Sequence, residues 1–187
     1  MQYEAKTFDI PELTGISAET IEAHLGLYAG YVKHVNHIHE QLASVNDDYA
    51  KAEMQRRLGF EFGGMKNHEY YFSQFEGGST DCPDGTFKDK VTEQFGSLEE
   101  FVEHMKGIAK TRGVGWAMCY TDPAASGQLV CTWVDEQHLG QLVDVDIVLA
   151  LDMWEHSYMR DYLPSKKGDY IDAFFNNLNW EVVAGRV

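Results

Sequence analysis

The chain has 187 residues, of which 44% are hydrophobic, 24% charged and 13% aromatic, with 17 Gly and only 4 Pro. This composition excludes a disordered, collagen-like or coiled-coil polypeptide and points to a soluble globular protein large enough to bury its own core. Thirty acidic against 15 basic residues give a net charge of −15, a field that repels phosphate backbones and anionic lipid, so neither nucleic acid nor a membrane is expected as a partner.

Ser17 is the expected N-cap of a long amphipathic helix in which Ile21, His24, Leu25, Tyr28, Tyr31, Val32, Val35, Ile38 and Leu42 recur at three- and four-residue spacing. Two further helical stretches are expected, Tyr49 to Leu58 and Gly64 to Phe75, with Gly59, Gly63 and Gly64 loosening the junction between them. Gly77 to Gly85 gathers turn formers and marks the expected boundary between a domain of residues 1–80 and one of residues 81–187. Ser97 and Glu100 make a capping box for a helix carrying Phe101, Val102, Met105, Ile108 and Ala109 on one face, expected to end near Gly113.

Beyond it, Gly115 to Tyr120 and Gln128 to Val134 read as a hairpin around Asp122 to Gly127. A third apolar run, Val145 to Leu151, stops at Asp152, and Trp154, Tyr158 and Tyr162 at four-residue steps predict a helix after it. The fold class is therefore α+β: an N-terminal α-helical hairpin domain and a C-terminal α/β domain with a small three-stranded antiparallel sheet.

Cys82, Cys119 and Cys131 are odd in number and form no C-x-x-C pair, which speaks against a disulfide framework or zinc knuckle and for a reducing, cytoplasmic setting. Residues 1–8 lack the basic and apolar regions of an export signal, and no stretch approaches the roughly 18 apolar residues of a membrane span. Eight histidines are present, and three stand in apolar or aromatic surroundings: His24 in the stripe of the first helix, His68 in an aromatic segment, and His156 just beyond an apolar strand. A buried imidazole needs a partner, and a shared metal would satisfy several at once. Asp152 and His156 are four residues apart, which on a helical turn points both to one side. His34, His37 and His39 do not share a helix face, so no second metal site is expected there.

Asp152-Met153-Trp154-Glu155-His156, followed by Tyr158, resembles the D-x-W-E-H-x-Y motif of iron/manganese superoxide dismutases. Asn67-His68 with Tyr71 is similar to their N-H-x-x-[FY] segment, Gly113 to Trp116 to G-x-G-W, and Asn179-Trp180-Glu181 to N-W-E. The stretch from Ser17 to His24, with Tyr31 and Val32, resembles the start of the family's first helix, so the matches follow family order over almost the whole chain.

The resemblance implies one Mn or Fe ion per subunit held by His24, His68, Asp152 and His156, with solvent as a fifth ligand. Three imidazoles and a carboxylate without thiolate suit Mn or Fe better than structural zinc. The implied activity is disproportionation of superoxide to dioxygen and hydrogen peroxide, the metal alternating between trivalent and divalent states. Tyr31 matches the gateway tyrosine, and Trp116, Trp154 and Trp180 match aromatics that close the pocket. The glutamine that some iron-type members place four residues before the second histidine is here Gly64, so the partner of the bound solvent is expected to be Gln137 or His138.

Glu155 and His156 resemble a bridge between the subunits of a homodimer, and Lys167 lies where the family often has a basic residue near the substrate funnel. The chain departs from the pattern in two places. Seven residues rather than eight separate His24 from Tyr31, and Met159 stands where a partner tyrosine is expected. The expectation is a regular first helix that keeps His24, Tyr28 and Tyr31 on one face, with Tyr28 filling the space of the family's intervening histidine. A non-catalytic metal-binding or assembly relative is the alternative that these departures leave open.

Overall fold

The computed structural model describes residues 2–187. Helix α1 (Ala18–Leu42) has 25 residues, about 37 Å at 1.5 Å per residue, and its first turn is capped by the Ser17 side chain, which accepts from the Thr20 amide. Its apolar positions repeat as expected, burying Ile21, His24, Tyr28, Val32, Val35 and Ile38 on one face. After a short loop, Asp47 caps α2 (Asp48–Ser73), which runs back along α1 as the second arm of a helical hairpin.

The predicted break within this second arm is absent, and α2 is one continuous helix. Gly63 and Gly64 act by permitting close approach rather than by ending the helix. A Cβ on Gly63 would lie 2.2 Å from the Gln137 carbonyl oxygen, and one on Gly64 would lie 2.5 Å from the Tyr31 ring. The loss of helix propensity, about 1 kcal/mol per glycine, is accepted where two other segments press against the helix backbone.

Turns at Gly77 and Gly78, both at positive φ, lead to α3 (Thr86–Phe95) and α4 (Leu98–Ala109). The Ser97 hydroxyl caps α4 by accepting from the Glu100 amide at 3.2 Å. Strands β1 (Gly115–Asp122), β2 (Gln128–Asp135) and β3 (Asp146–Asp152) form an antiparallel sheet in the order β2-β1-β3. Trp116 of β1 is paired with Asp152 of β3, which fixes the sheet end that faces the helical hairpin.

The helix predicted after Asp152 is replaced by a single 3-10 turn, Glu155–Ser157. The chain is tied to the strand end: the Trp154 amide donates to Asp152 Oδ1 at 2.7 Å, and the Ser157 hydroxyl donates to the Asp152 carbonyl at 3.1 Å. Four-residue aromatic spacing arises here because Tyr158 packs on Tyr170, with ring centroids 5.3 Å apart, not because a helix runs through it. Helices α5 (Lys167–Asn176) and α6 (Trp180–Ala184) close the chain. The core between hairpin and sheet is aromatic, with Tyr71, Phe72, Phe75, Trp116 and Phe174 fully buried, each contributing on the order of 1.5–3 kcal/mol through removal of apolar surface from water.

Candidate metal centre

Four elements converge at the seam between hairpin and sheet. Helix α1 supplies His24, α2 supplies His68, the last residue of β3 is Asp152, and the following turn supplies His156. One potential ligand atom from each lies within 4.8 Å of all the others. The Nε2 atoms of His24, His68 and His156 stand 3.1, 3.5 and 3.2 Å from Asp152 Oδ2. His24, His68 and Asp152 are wholly buried, whereas the His156 side chain is 20% exposed.

His24, His68 and Asp152 are held in the protonation states a metal requires. Burial pushes the His24 and His68 imidazoles down, His68 to about 3, so both are neutral. Burial opposes ionisation of Asp152, but the adjacent His156 and His24 rings outweigh it and hold the carboxyl below the usual carboxylate range. His68 Nδ1 donates to the Gly64 carbonyl at 2.6 Å, which fixes the tautomer and leaves the Nε2 lone pair facing the cluster. That Nε2 is buried without a hydrogen-bond partner and faces the Asp152 carboxylate and the Nε2 atoms of His24 and His156, a donor set that fits a cation. Asp152 is braced at its carbonyl by the Tyr170 hydroxyl, which donates at 2.9 Å and sits 3.2 Å from the Tyr71 hydroxyl.

A polar chain runs from the cluster to its outer rim. Trp116 Nε1 donates to Gln137 Oε1 at 2.9 Å, and Gln137 Nε2 donates to the Tyr31 hydroxyl at 2.9 Å. The Tyr31 ring lies 5.1 Å from that of His68, and burial together with the Asp152 charge raises its phenol above the ordinary value.

The pattern described as "Iron/manganese superoxide dismutases, C-terminal domain" matches residues 83–186. Over 93% of this chain and 85% of its own, a protein of Aquifex pyrophilus named superoxide dismutase [Fe] is 36% identical. A superoxide dismutase [Fe] of Cupriavidus metallidurans is 34% identical over all of this chain and 96% of its own. A superoxide dismutase [Mn] of Haloarcula marismortui is 34% identical over 84% of this chain and 77% of its own. The chain belongs to the iron/manganese superoxide dismutase family.

In this family member the structure gathers Tyr31, Gly64, Trp116, Gln137 and Trp154 around the four-residue cluster, Trp154 stacking on His156 with ring centroids 5.7 Å apart. Gln137 and His138 part company. Gln137 is buried in the chain of hydrogen bonds, whereas His138 turns to Gly59 and to Phe60, its ring 5.9 Å from the Phe60 ring. Lys167 is set against Trp133 and donates to the Thr111 carbonyl at 3.0 Å, and Trp180 stacks on Phe87; neither touches the cluster. Glu155 and Met159 are exposed beside His156.

Helix α1 is regular through the shortened spacing, so His24 and Tyr31 share a face. Tyr28 does not enter the gateway: its ring packs on Phe8 and Phe72, and its hydroxyl accepts from the Lys6 amide at 2.9 Å and lies 3.4 Å from Glu69. Asn67 is the residue that motif reading quoted without a role. Its Nδ2 donates to the Gln137 carbonyl at 3.0 Å and its Oδ1 accepts from Gln141 at 2.8 Å, tying α2 to the loop after β2. Its place beside His68 was the available signal.

Proposed function

We propose that the protein is a superoxide dismutase that converts superoxide to dioxygen and hydrogen peroxide, with one Mn or Fe ion per subunit held by His24, His68, Asp152 and His156. The observation that carries this reading is the convergence of three imidazole Nε2 atoms on one buried carboxylate oxygen. When bound, the ion supplies the one-electron oxidation of one superoxide and the one-electron reduction of the next.

The protein's own residues supply protons and exclusion. Gln137 has a second amide hydrogen beyond the one given to Tyr31, and we assign it to solvent at the metal. Tyr31, with its phenol held protonated, offers a proton to the pocket from the rim. Trp116 fixes the Gln137 amide orientation by occupying its oxygen, and Trp154 closes one side of the pocket over His156. His138, half-buried against Phe60, is the weaker candidate for the solvent partner.

The same reading includes a division into domains at residues 80 and 81, a homodimer in which Glu155 reaches His156 of the other subunit, and a cytoplasmic setting, supported by three unbridged cysteines. Among the described residues no helix is long and apolar enough to cross a membrane. Superoxide is an anion, and the net charge of −15 requires local cations to guide it, a role we assign to Lys167.

The deciding experiment measures superoxide consumption per bound metal on protein loaded separately with manganese and with iron. Turnover with either ion is expected. Full occupancy without turnover in both forms overturns the reading.

A further inference from the structure

A second reactive pair lies outside the metal centre, in the hairpin. Cys119 of β1 and Cys131 of β2 are directly opposed in the strand register. Leu129 turns both its amide and its carbonyl away from β1 to the Gln94 side chain, at 2.7 and 3.1 Å. The Asp135 amide also turns away, to the Leu139 carbonyl at 2.9 Å, while the Glu136 amide donates toward the β1 side, to Val114, at 3.0 Å.

Hydrogen-bonded and non-hydrogen-bonded pairs alternate along an antiparallel ladder, so Cys131, two residues after Leu129 and four before Asp135, shares their parity and belongs to a non-hydrogen-bonded pair with Cys119. Such pairs hold their Cα atoms about 4.5 Å apart with both side chains on one face. A disulfide spans Cα separations of roughly 4.4–6.8 Å, so the bridge needs no change of register.

The two thiols differ in access. Cys119 is fully buried on the central strand, whereas Cys131 is partly exposed on the edge strand. The neighbouring Cys131 thiol and burial both push the Cys119 thiol up, so Cys119 waits as a thiol while Cys131 meets a reagent from solvent. Cys82 sits in the loop before α3 and faces no other cysteine.

We propose that Cys119 and Cys131 form a reversible dithiol–disulfide site oxidised by small aliphatic disulfides. In the first step the Cys131 thiolate attacks one sulfur of the reagent, its S–S bond breaks, and one thiolate leaves. In the second, the Cys119 thiol gives its proton to that leaving thiolate and attacks Cys131 Sγ, releasing the other half of the reagent as a thiolate that takes a proton from solvent. The proton lost from Cys131 at the outset balances that uptake. Two protein thiols are oxidised and one small disulfide is reduced to two thiols. Cys131 lies partly exposed on the edge strand, which leaves the bridge open to an incoming thiolate and keeps it easily reduced. The site is independent of the superoxide reading.

The test incubates the metal-loaded protein in graded mixtures of oxidised and reduced glutathione, then quenches with acid and maps the disulfides by mass spectrometry. The expected result is loss of two of the three thiols, a mass decrease of about 2 Da for the two hydrogens removed, and a peptide joined through Cys119 and Cys131, all reversed by dithiothreitol. Cys82→Ser should keep the cross-link, and Cys131→Ser should lose it while binding the same amount of metal. Three free thiols at the most oxidising ratio, or a stable glutathione adduct on Cys131 without a cross-link, would overturn the proposal.

Discussion

The two halves of the metal centre are built by different means. His24 and His68 ride on helices of 25 and 26 residues, are wholly buried, and depend on backbone geometry for their approach. Asp152 and His156 sit at a strand end and on a three-residue turn; Asp152 is held by side-chain hydrogen bonds from Ser157 and Tyr170 and by the Trp154 amide, and the His156 ring stacks on Trp154. The helical half is rigid by length. The strand half is rigid by ties, and it carries the one ligand with a path to solvent.

The largest expected effect lies where the halves meet. Asp152→Asn removes the negative oxygen on which three imidazoles converge, while preserving shape. Metal content measured by elemental analysis should fall below a tenth of the wild-type value, and superoxide turnover by at least about 100-fold, the upper end of what loss of an outer partner costs. Retained metal with retained turnover would show that the carboxylate is not a ligand.

The helical half is tested at Gly63. Its absent Cβ would stand 2.2 Å from the Gln137 carbonyl oxygen, a backbone atom with little freedom to yield. Gly63→Ala should therefore destabilise the fold by about 1–3 kcal/mol, as overpacking does, and lower Tm by about 2–4 °C per kcal/mol. Turnover should fall as well, because Gln137 is displaced from Tyr31 and Trp116. An unchanged Tm would mean that α2 and the loop after β2 are not pressed together.

This contrast also explains what the sequence disclosed. Helix α1 was legible from its periodicity and its Ser17 cap, and α4 from Ser97, because side-chain caps and apolar stripes are local signals. Helices α3 and α5 have no side-chain cap on their first turn, so their starts left no mark in the pattern. Gly59, Gly63 and Gly64 read as a break because a glycine needed for close approach and one that ends a helix look the same in a single chain. The turn after Asp152 read as a helix because its aromatic spacing is set by the distant Tyr170. In the centre, the aspartate and three histidines stood out as a motif, but Gln137 and His138 are adjacent and chemically alike there. Their separation is tertiary: Asn67 pulls on the Gln137 carbonyl while Trp116 and Tyr31 take its amide.

The strand half is tested more gently at Tyr170. Tyr170→Phe removes the donor to the Asp152 carbonyl and the neighbour of the Tyr71 hydroxyl, both buried. The Asp152 carbonyl keeps only its Ser157 donor and the Tyr71 hydroxyl is left unpaired, which costs about 1–3 kcal/mol, and the strand end should loosen. Chemical denaturation should register the loss in stability, and a competition titration with a chelator should register metal binding weaker by about 10-fold. A loss of stability without any loss of metal affinity would mean that the tie supports the fold alone and leaves the position of Asp152 to Trp154 and Ser157.

The smallest effect separates close approach from mere tolerance of glycine. Gly107 lies in α4, exposed, and a Cβ there would meet nothing within 4 Å. With no segment pressed against it, this glycine contributes only backbone freedom in the unfolded chain, so Gly107→Ala should stabilise the protein by about 0.5–1 kcal/mol. The same substitution thus takes opposite signs in α2 and α4, and the difference in Tm between Gly63→Ala and Gly107→Ala measures how hard the loop carrying Gln137 bears on the helix that carries His68. If both changes raised Tm, the rigidity of the helical half would have to come from helix length alone, and the path from Gly63 through Gln137 to Tyr31 would lose its structural basis.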